Sequence, residues 1–307
     1  MQSPSANDLI TLARAREAVL RKDEPPASIA VAPLACRGTQ RPWEGTLTRK
    51  PWEHQVTAAI PHLETPETLP VLLELLALQT VRPYVLILDT GSSPDVVRRL
   101  EALRRPDVEI HYLRAHAFAH SSAPVTTAMD VAFALCRTPH LFCTHSDVFP
   151  RRRDLLEWLL GLCREDQPVV GYEMSPRPDI NGWRNVVSHT CTMLHMPTMR
   201  RIGATWSFER YWESGEARPQ QGGYPDTEQP FDRCIRRAGI YPYLIGHDEN
   251  YVRYTDANID HVRSLSGLRL YDRAGELHRG CETNLKRVLG EAKARLQAWR
   301  KEAIRGA

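Results

Sequence analysis

From residue 54 onward the chain alternates two hydrophobic rhythms. Compact apolar runs (QVTAAIP, YVLILD, VEIHYLR, HLFCTHSD) are separated by segments whose apolar residues recur three and four apart. These are TLPVLLELLALQT, PDVVRRLEALRR and residues 123 to 137. The first kind predicts strands buried on both faces, the second amphipathic helices. Their alternation predicts βαβ units, hence an α/β fold with a mostly parallel, Rossmann-like sheet flanked by helices. Ligands bind such sheets at the carboxyl ends of the strands. Pro61, Asp89 and Asp147 all fall at such ends.

The flanking segments are less regular. Residues 7 to 22 read as one amphipathic helix broken by KDEPPAS, and the proline-containing stretch to residue 53 reads as an arm or strap. In the second half, PVVGYEMSP and YPYLIGH read as strands and EQPFDRCIRRAG as a helix with a glycine stop. SGEARPQQGGYPDT between them is a Gly-, Pro- and Gln-rich loop. The chain closes on a basic amphipathic helix, NLKRVLGEAKARLQAWRKEAIR. The organisation expected is an N-terminal helix and arm over 1–53, a main domain over 54–265 and a basic helical extension over 266–307.

Composition narrows the class without naming it. With 307 residues, 42% hydrophobic and 25% charged, the chain can bury a globular core. A formal net charge of +3 does not by itself imply a nucleic-acid partner. No apolar run reaches the roughly 18 to 20 residues of a membrane helix. The N-terminus lacks a signal-peptide core, so a cytoplasmic location is expected. The seven cysteines are scattered without a C-x-x-C pair, which fits reduced thiols rather than a zinc knuckle.

Four places carry candidate chemistry. Asp89, in LILDTGSS, can accept hydrogen bonds from a base or ribose, or can merely organise its own turn. In LFCTHSDVFPRRR, alternation along an extended segment would set His145 and Asp147 on one side and Ser146 on the other. Imidazole with carboxylate suits manganese or zinc, and carboxylate with waters suits magnesium. A His–Asp hydrogen-bonded couple is the competing reading. Arg151, Arg152 and Arg153 then follow, in an expected first helical turn; they read first as a solvated arginine face, and otherwise as a place where an anion would offset their repulsion from the helix dipole. Asp226 and Glu228 lie on a loop before a helix, placed for proton abstraction or for capping. A metal on Asp147 needs a further protein ligand, for which His261 in DANIDHVRS ranks ahead of His247 in IGHDEN.

In this order, over roughly residues 54 to 250, these pieces resemble the GT-A nucleotide-sugar glycosyltransferases, particularly the large family two of inverting enzymes. VTAAIPHLETPETLPVLLELLALQT is similar to that family's opening strand, Ile-Pro (Pro61 here) and helix ending in Gln-Thr. LILDTGSS is similar to its Asp-Asp-Gly-Ser turn, which implies a nucleotide-binding role for Asp89. AMDVAFALCRTPHLFCTHSD is similar to the helix and strand that lead to its Asp-x-Asp. The resemblance implies Asp147 as metal ligand and Asp130 at a pocket-lining position often held by Asn. DTEQPFDRCIRRAG resembles the segment supplying the catalytic base, with Glu228 at the base position and Asp226 just before it. Three departures are specific to this chain. His145 replaces the first Asp of Asp-x-Asp, Thr90 the second Asp of the turn, and Thr-Glu stands for Glu-Asp.

What the resemblance implies is a metal-assisted inverting transferase. It would move a sugar from a UDP- or GDP-sugar to an acceptor hydroxyl with a divalent ion, manganese or magnesium. Glycans, small molecules, protein hydroxyls and hydroxylated DNA bases all remain as acceptors, the last because PRRR and the basic final helix would suit a phosphate backbone. Two rivals stand beside it. One is a catalytically degenerate nucleotide-binding protein on the same fold. The other is a nucleotidyltransferase, disfavoured because its glycine-rich, Lys/Arg-containing loop does not follow VTAAIP.

Overall fold

The structure, a computed structural model, describes residues 53–113, 123–173, 186–207, 227–247, 254–255, 257–262, 265 and 276–305. The expected helix over 7–22, the arm before residue 53, the Gly/Pro/Gln-rich loop up to residue 226, and Asp226 itself lie outside these residues.

The first half is built as the sequence predicts. β1 (Val56–His62), β2 (Tyr84–Asp89), β3 (Val108–Tyr112) and β4 (His140–Thr144) alternate with α1 (Leu69–Ala77), α2 (Pro94–Glu101) and α3 (Ala123–Leu135). Prolines at the starts of α1 and α2 sit where a helix has no use for the missing N–H. After β4 come β5 (Val148–Pro150), α4 (Leu155–Leu162), β6 (Val169–Glu173), β7 (Val187–His195) and α5 (Met196–Arg201). The remainder is α6 (Gln229–Arg237), β8 (Tyr243–His247), β9 (Tyr254–Thr255), β10 (Ile259–His261) and α7 (Glu276–Arg305).

Among the described residues, seven strands form one sheet in the order β3-β2-β1-β4-β7-β6-β8. All neighbours are parallel except where β7 meets β4 and β6, so β7 alone runs backwards. The α/β, mostly parallel architecture is therefore present. β7 itself was not expected: its sequence, VSHTCTMLH, mixes polar and apolar residues, yet nearly every position is buried. Burial on both faces erases the alternation that would have marked it.

The side chains of β1 sort the two faces. Val56, Ala58 and Ile60 join a core with α1, α2, α4 and α7, whereas Ala59 joins a second core with α3, α5 and α6. Helices thus cover both faces of the sheet. The final helix places Cys281, Leu285, Val288, Ala292, Leu296 and Trp299 in the first core, spaced three and four apart. α6 ends as expected at Gly239, whose φ of 72° is the left-handed conformation a helix stop uses. Among the described residues no helix is long and apolar enough to cross a membrane.

The chain steps from β1 outward to β2 and β3, then crosses to β4 on the other side of β1. The carboxyl ends of β1 and β4 therefore diverge at a topological switch point, where loops leaving in opposite directions open a crevice.

Candidate functional site

β4 ends at Thr144, and His145, Ser146 and Asp147 form a turn that enters β5. The extended segment foreseen for this stretch is thus a turn closed by Val148 N–H donating to the His145 carbonyl, 3.2 Å. Ser146 still leaves the other two: its hydroxyl lies 2.7 Å from that of Thr65 in the loop after β1.

A second, three-stranded sheet supplies the third member. β10 pairs antiparallel with β5 so that His261 stands opposite Val148, and Val262 N–H donates to the Asp147 carbonyl at 3.2 Å. This register brings His261 Nε2 to 3.7 Å from Asp147 Oδ1. Ligand atoms of His145, Asp147 and His261 all lie within 4.8 Å of one another. Asp147 and His261 are buried and His145 partly so. Two imidazoles and one carboxylate form a donor set that fits a borderline divalent ion and leaves positions open for oxygen ligands. His247, the weaker candidate, closes β8, and its side chain lies outside the described residues.

β7 runs backwards beside β4, so its first residues lie next to the turn. The ring of His189 packs on that of His145 with centroids 4.2 Å apart. On its other side, His189 Nδ1 is 2.5 Å from Glu228 Oε1. Glu228 occupies the N-cap position of α6, but its side chain makes no capping hydrogen bond. The capping reading had Asp226 or Thr227 as the cap and Glu228 in the first turn; Glu228 is itself the N-cap residue, and its carboxylate is turned to His189. Trp206 stacks on Phe231 at 4.4 Å and meets the edge of His189 at 5.9 Å, walling this side with apolar rings. One turn into α6, burial raises the carboxyl of Asp232 above the usual range, opposed by Arg236 at 2.7 Å.

Asp89 ends β2 opposite His62 at the end of β1. Its Oδ1 accepts from the backbone N–H groups of Gly91 (3.1 Å) and Ser92 (3.0 Å). The turn-organising reading is therefore correct as far as it goes. Gly91, at φ 111°, holds a conformation that a side chain would strain. Asp89 Oδ2 lies 2.9 Å from His62 Nδ1, a partner the sequence did not reveal.

The other residues singled out in the sequence have definite places. Pro61 is buried in β1 beyond Ala59, the last residue paired with β4, so its lack of an N–H falls where that ladder has already ended. Asp130, in α3, receives the Thr205 hydroxyl at 2.9 Å and the Trp206 N–H at 2.8 Å, and so fixes the segment that carries Trp206. The three arginines precede α4 rather than opening it, because Asp154 is the N-cap. They engage the protein itself. Arg151 meets the fully buried Asp260 at 3.2 Å, Arg152 meets Asp154 at 2.6 Å, and Arg153 meets Glu302 of α7 at 3.7 Å. The pairs of Arg151 and Arg153 brace the second sheet and the final helix.

No protein-family model matches the chain, and no curated protein does. Solved structures similar to it include a mannosyltransferase from Pyrobaculum calidifontis in complex with GDP-Man and Mn2+. That similarity has 14% identity and a TM-score of 0.44, over 98% of this chain and 83% of that one. TarS of S. aureus is similar at 15% identity and a TM-score of 0.40, over 50% of this chain; the match spans only 31% of TarS. A glucosyl-3-phosphoglycerate synthase from Mycobacterium tuberculosis, in complex with Mn2+ and UDP-Glc, is similar at 14% identity and a TM-score of 0.41. That match covers 63% of this chain and 70% of the other.

Proposed function

We propose that this chain is a GT-A-type glycosyltransferase that moves a sugar from a UDP- or GDP-sugar to an acceptor hydroxyl with inversion at the anomeric carbon. One observation carries the reading. At the switch point of the sheet, Asp89, the His145–Asp147–His261 cluster and the His189–Glu228 pair converge from the ends of separate elements. A carboxylate for the nucleoside, a donor set for a divalent ion and a carboxylate beside it are the parts this transfer requires.

A manganese or magnesium ion on His145, Asp147 and His261 would neutralise charge on the leaving diphosphate. The chain's own groups then have separate tasks. Asp89 receives a hydrogen bond from the nucleoside. Glu228 takes the proton of the acceptor hydroxyl while the acceptor oxygen bonds to the anomeric carbon and the bond from that carbon to the diphosphate oxygen breaks. His189 holds Glu228 at 2.5 Å, and Trp206 with Phe231 keeps water from that side. Asp226 remains the alternative base.

The acceptor we put to the test is a glycan or small-molecule hydroxyl. Hydroxylated DNA rested on the arginine run and the final helix, and Arg151, Arg152, Arg153, Arg295 and Arg300 all pair with carboxylates of the chain. Salt-sensitive affinity for duplex DNA would restore that acceptor.

The test is nucleotide-induced stabilisation. Against UDP, GDP and CDP, with and without manganese, one nucleotide should raise the unfolding temperature, and manganese should enlarge the shift. Saturation at a hundredfold excess over Kd corresponds to about 2.7 kcal/mol. Asp147→Ala should keep the fold, lose the manganese increment and lose turnover. No shift with any nucleotide would favour the degenerate binding protein, and an Asp147→Ala protein that still turns over would remove the metal assignment.

A further inference from the structure

The loop after β1 is tied to both halves of the proposed donor site by a continuous set of hydrogen bonds. His62 Nε2 accepts from the Thr65 backbone N–H at 3.3 Å, which places the ring proton on Nδ1, where it donates to Asp89 Oδ2 at 2.9 Å. The hydroxyl of Thr65 lies 2.7 Å from that of Ser146, in the middle of the turn bearing His145 and Asp147. The same loop reaches back to the turn after β2. Thr90 donates to the His62 carbonyl from its N–H at 2.9 Å and from its hydroxyl at 3.1 Å, and Glu64 N–H donates to the Ser92 hydroxyl at 2.9 Å. His62 is 2% exposed and lies at the centre of this arrangement.

We infer that His62 is a positioning residue for donor recognition: it orients the Asp89 carboxylate for the nucleoside and links it, through Thr65 and Ser146, to the turn that carries the metal ligands. The inference rests on the nucleoside role proposed for Asp89. A carboxylate has about four acceptor positions. On Asp89, Gly91 and Ser92 take two at Oδ1 and His62 takes one at Oδ2. Among the described residues, the position left lies on Oδ2, and the imidazole decides where it points. A carboxylate free to rotate would offer the ligand a changing target and would lose affinity in ordering itself.

The experiment is a double-mutant cycle read by calorimetric binding of UDP and of GDP, with manganese alone as a second titrant. Hydrogen bonds to charged groups contribute about 1.5–3 kcal/mol, so His62→Ala should weaken the bound nucleotide about tenfold or more. Manganese alone should bind as in the wild type. His62→Asn, whose amide can donate from near the Nδ1 position, should recover most of the loss. In an Asp89→Asn background, His62→Ala should have no further effect, because the two act as one unit. Full-strength nucleotide binding in His62→Ala, no recovery in His62→Asn, or an undiminished effect without Asp89 would each overturn the inference. Should Asp89→Asn itself bind as the wild type does, the nucleoside assignment would fall first and take this inference with it. The unaltered protein provides a reading independent of any variant's folding. Nitrogen-15 spectra of the histidines should show one ring with its proton locked on Nδ1, and a ring exchanging between tautomers at His62 would also overturn the inference.

Discussion

Glu228 and His189 stand 39 positions apart in the chain and 2.5 Å apart in space. A carboxylate held that way is oriented before the acceptor arrives, which is what a base requires. Glu228→Gln keeps the shape and one acceptor oxygen but removes the basic group. We expect turnover to fall by a factor on the order of 10²–10⁴, with nucleotide affinity unchanged. Steady-state rates beside equilibrium binding check this; a parallel loss of nucleotide affinity would make Glu228 a donor ligand instead. At this scale the sequence was readable where a residue type follows a strand, as for Asp89 and Asp147. It was silent on His62 and His189, because a single buried histidine leaves no periodic trace and its partner is decided elsewhere in the chain.

The final helix shows what an element's own pattern can and cannot say. Its apolar spacing marked one buried face, and that face is in the core. Its cations gave no sign of their partners. Arg295 reaches Asp260 at 2.7 Å and the Pro150 carbonyl at 2.8 Å, bonding the helix to the strand that carries His261. Asp260 is fully buried, so Arg295→Ala takes from a buried carboxylate one of the two arginines that meet it among the described residues. The expected cost is about 3 kcal/mol. Arg300 meets Glu74 at 2.9 Å, but its side chain is nearly half exposed, and Arg300→Ala should cost well under about 1 kcal/mol. Urea unfolding of the two variants decides the matter, and equal costs would show that Arg295 braces nothing. The second sheet was not foreseen at all. β5, β9 and β10 are three residues or fewer, too short for any rhythm to register.

Across the whole sheet, the join between its parallel part and the reversed strand β7 has a pH signature. His140 on β4 faces His195 on β7, with ring centroids 5.4 Å apart. Burial lowers both below the ordinary histidine value of 6.5, and for His140 the neighbouring imidazole adds to the effect. The unfolded chain takes up protons near that value while the folded chain resists them. Stability from this pair is therefore complete above about pH 6.5 and is lost as pH falls through the depressed folded values. Unfolding midpoints between pH 8 and pH 5 should decline for the wild type and decline less for His140→Gln. Identical slopes would place the acid sensitivity elsewhere.

The sequence by itself determined the parallel strands β1 to β4, the helices between them and the carboxyl edge on which Asp89 and Asp147 stand. Burial on both faces writes strands as continuous apolar runs, and helices packed on a sheet write theirs at three and four. Only the tertiary structure decided that β7 runs backwards to bring His189 beside His145, that β10 pairs with β5 to bring His261 to Asp147, and that PRRR braces the fold. Those outcomes depend on backbone hydrogen bonds and ion pairs between distant segments. A peptide N–H bonds any carbonyl alike, so the residue types on a strand do not say which strand will lie beside it.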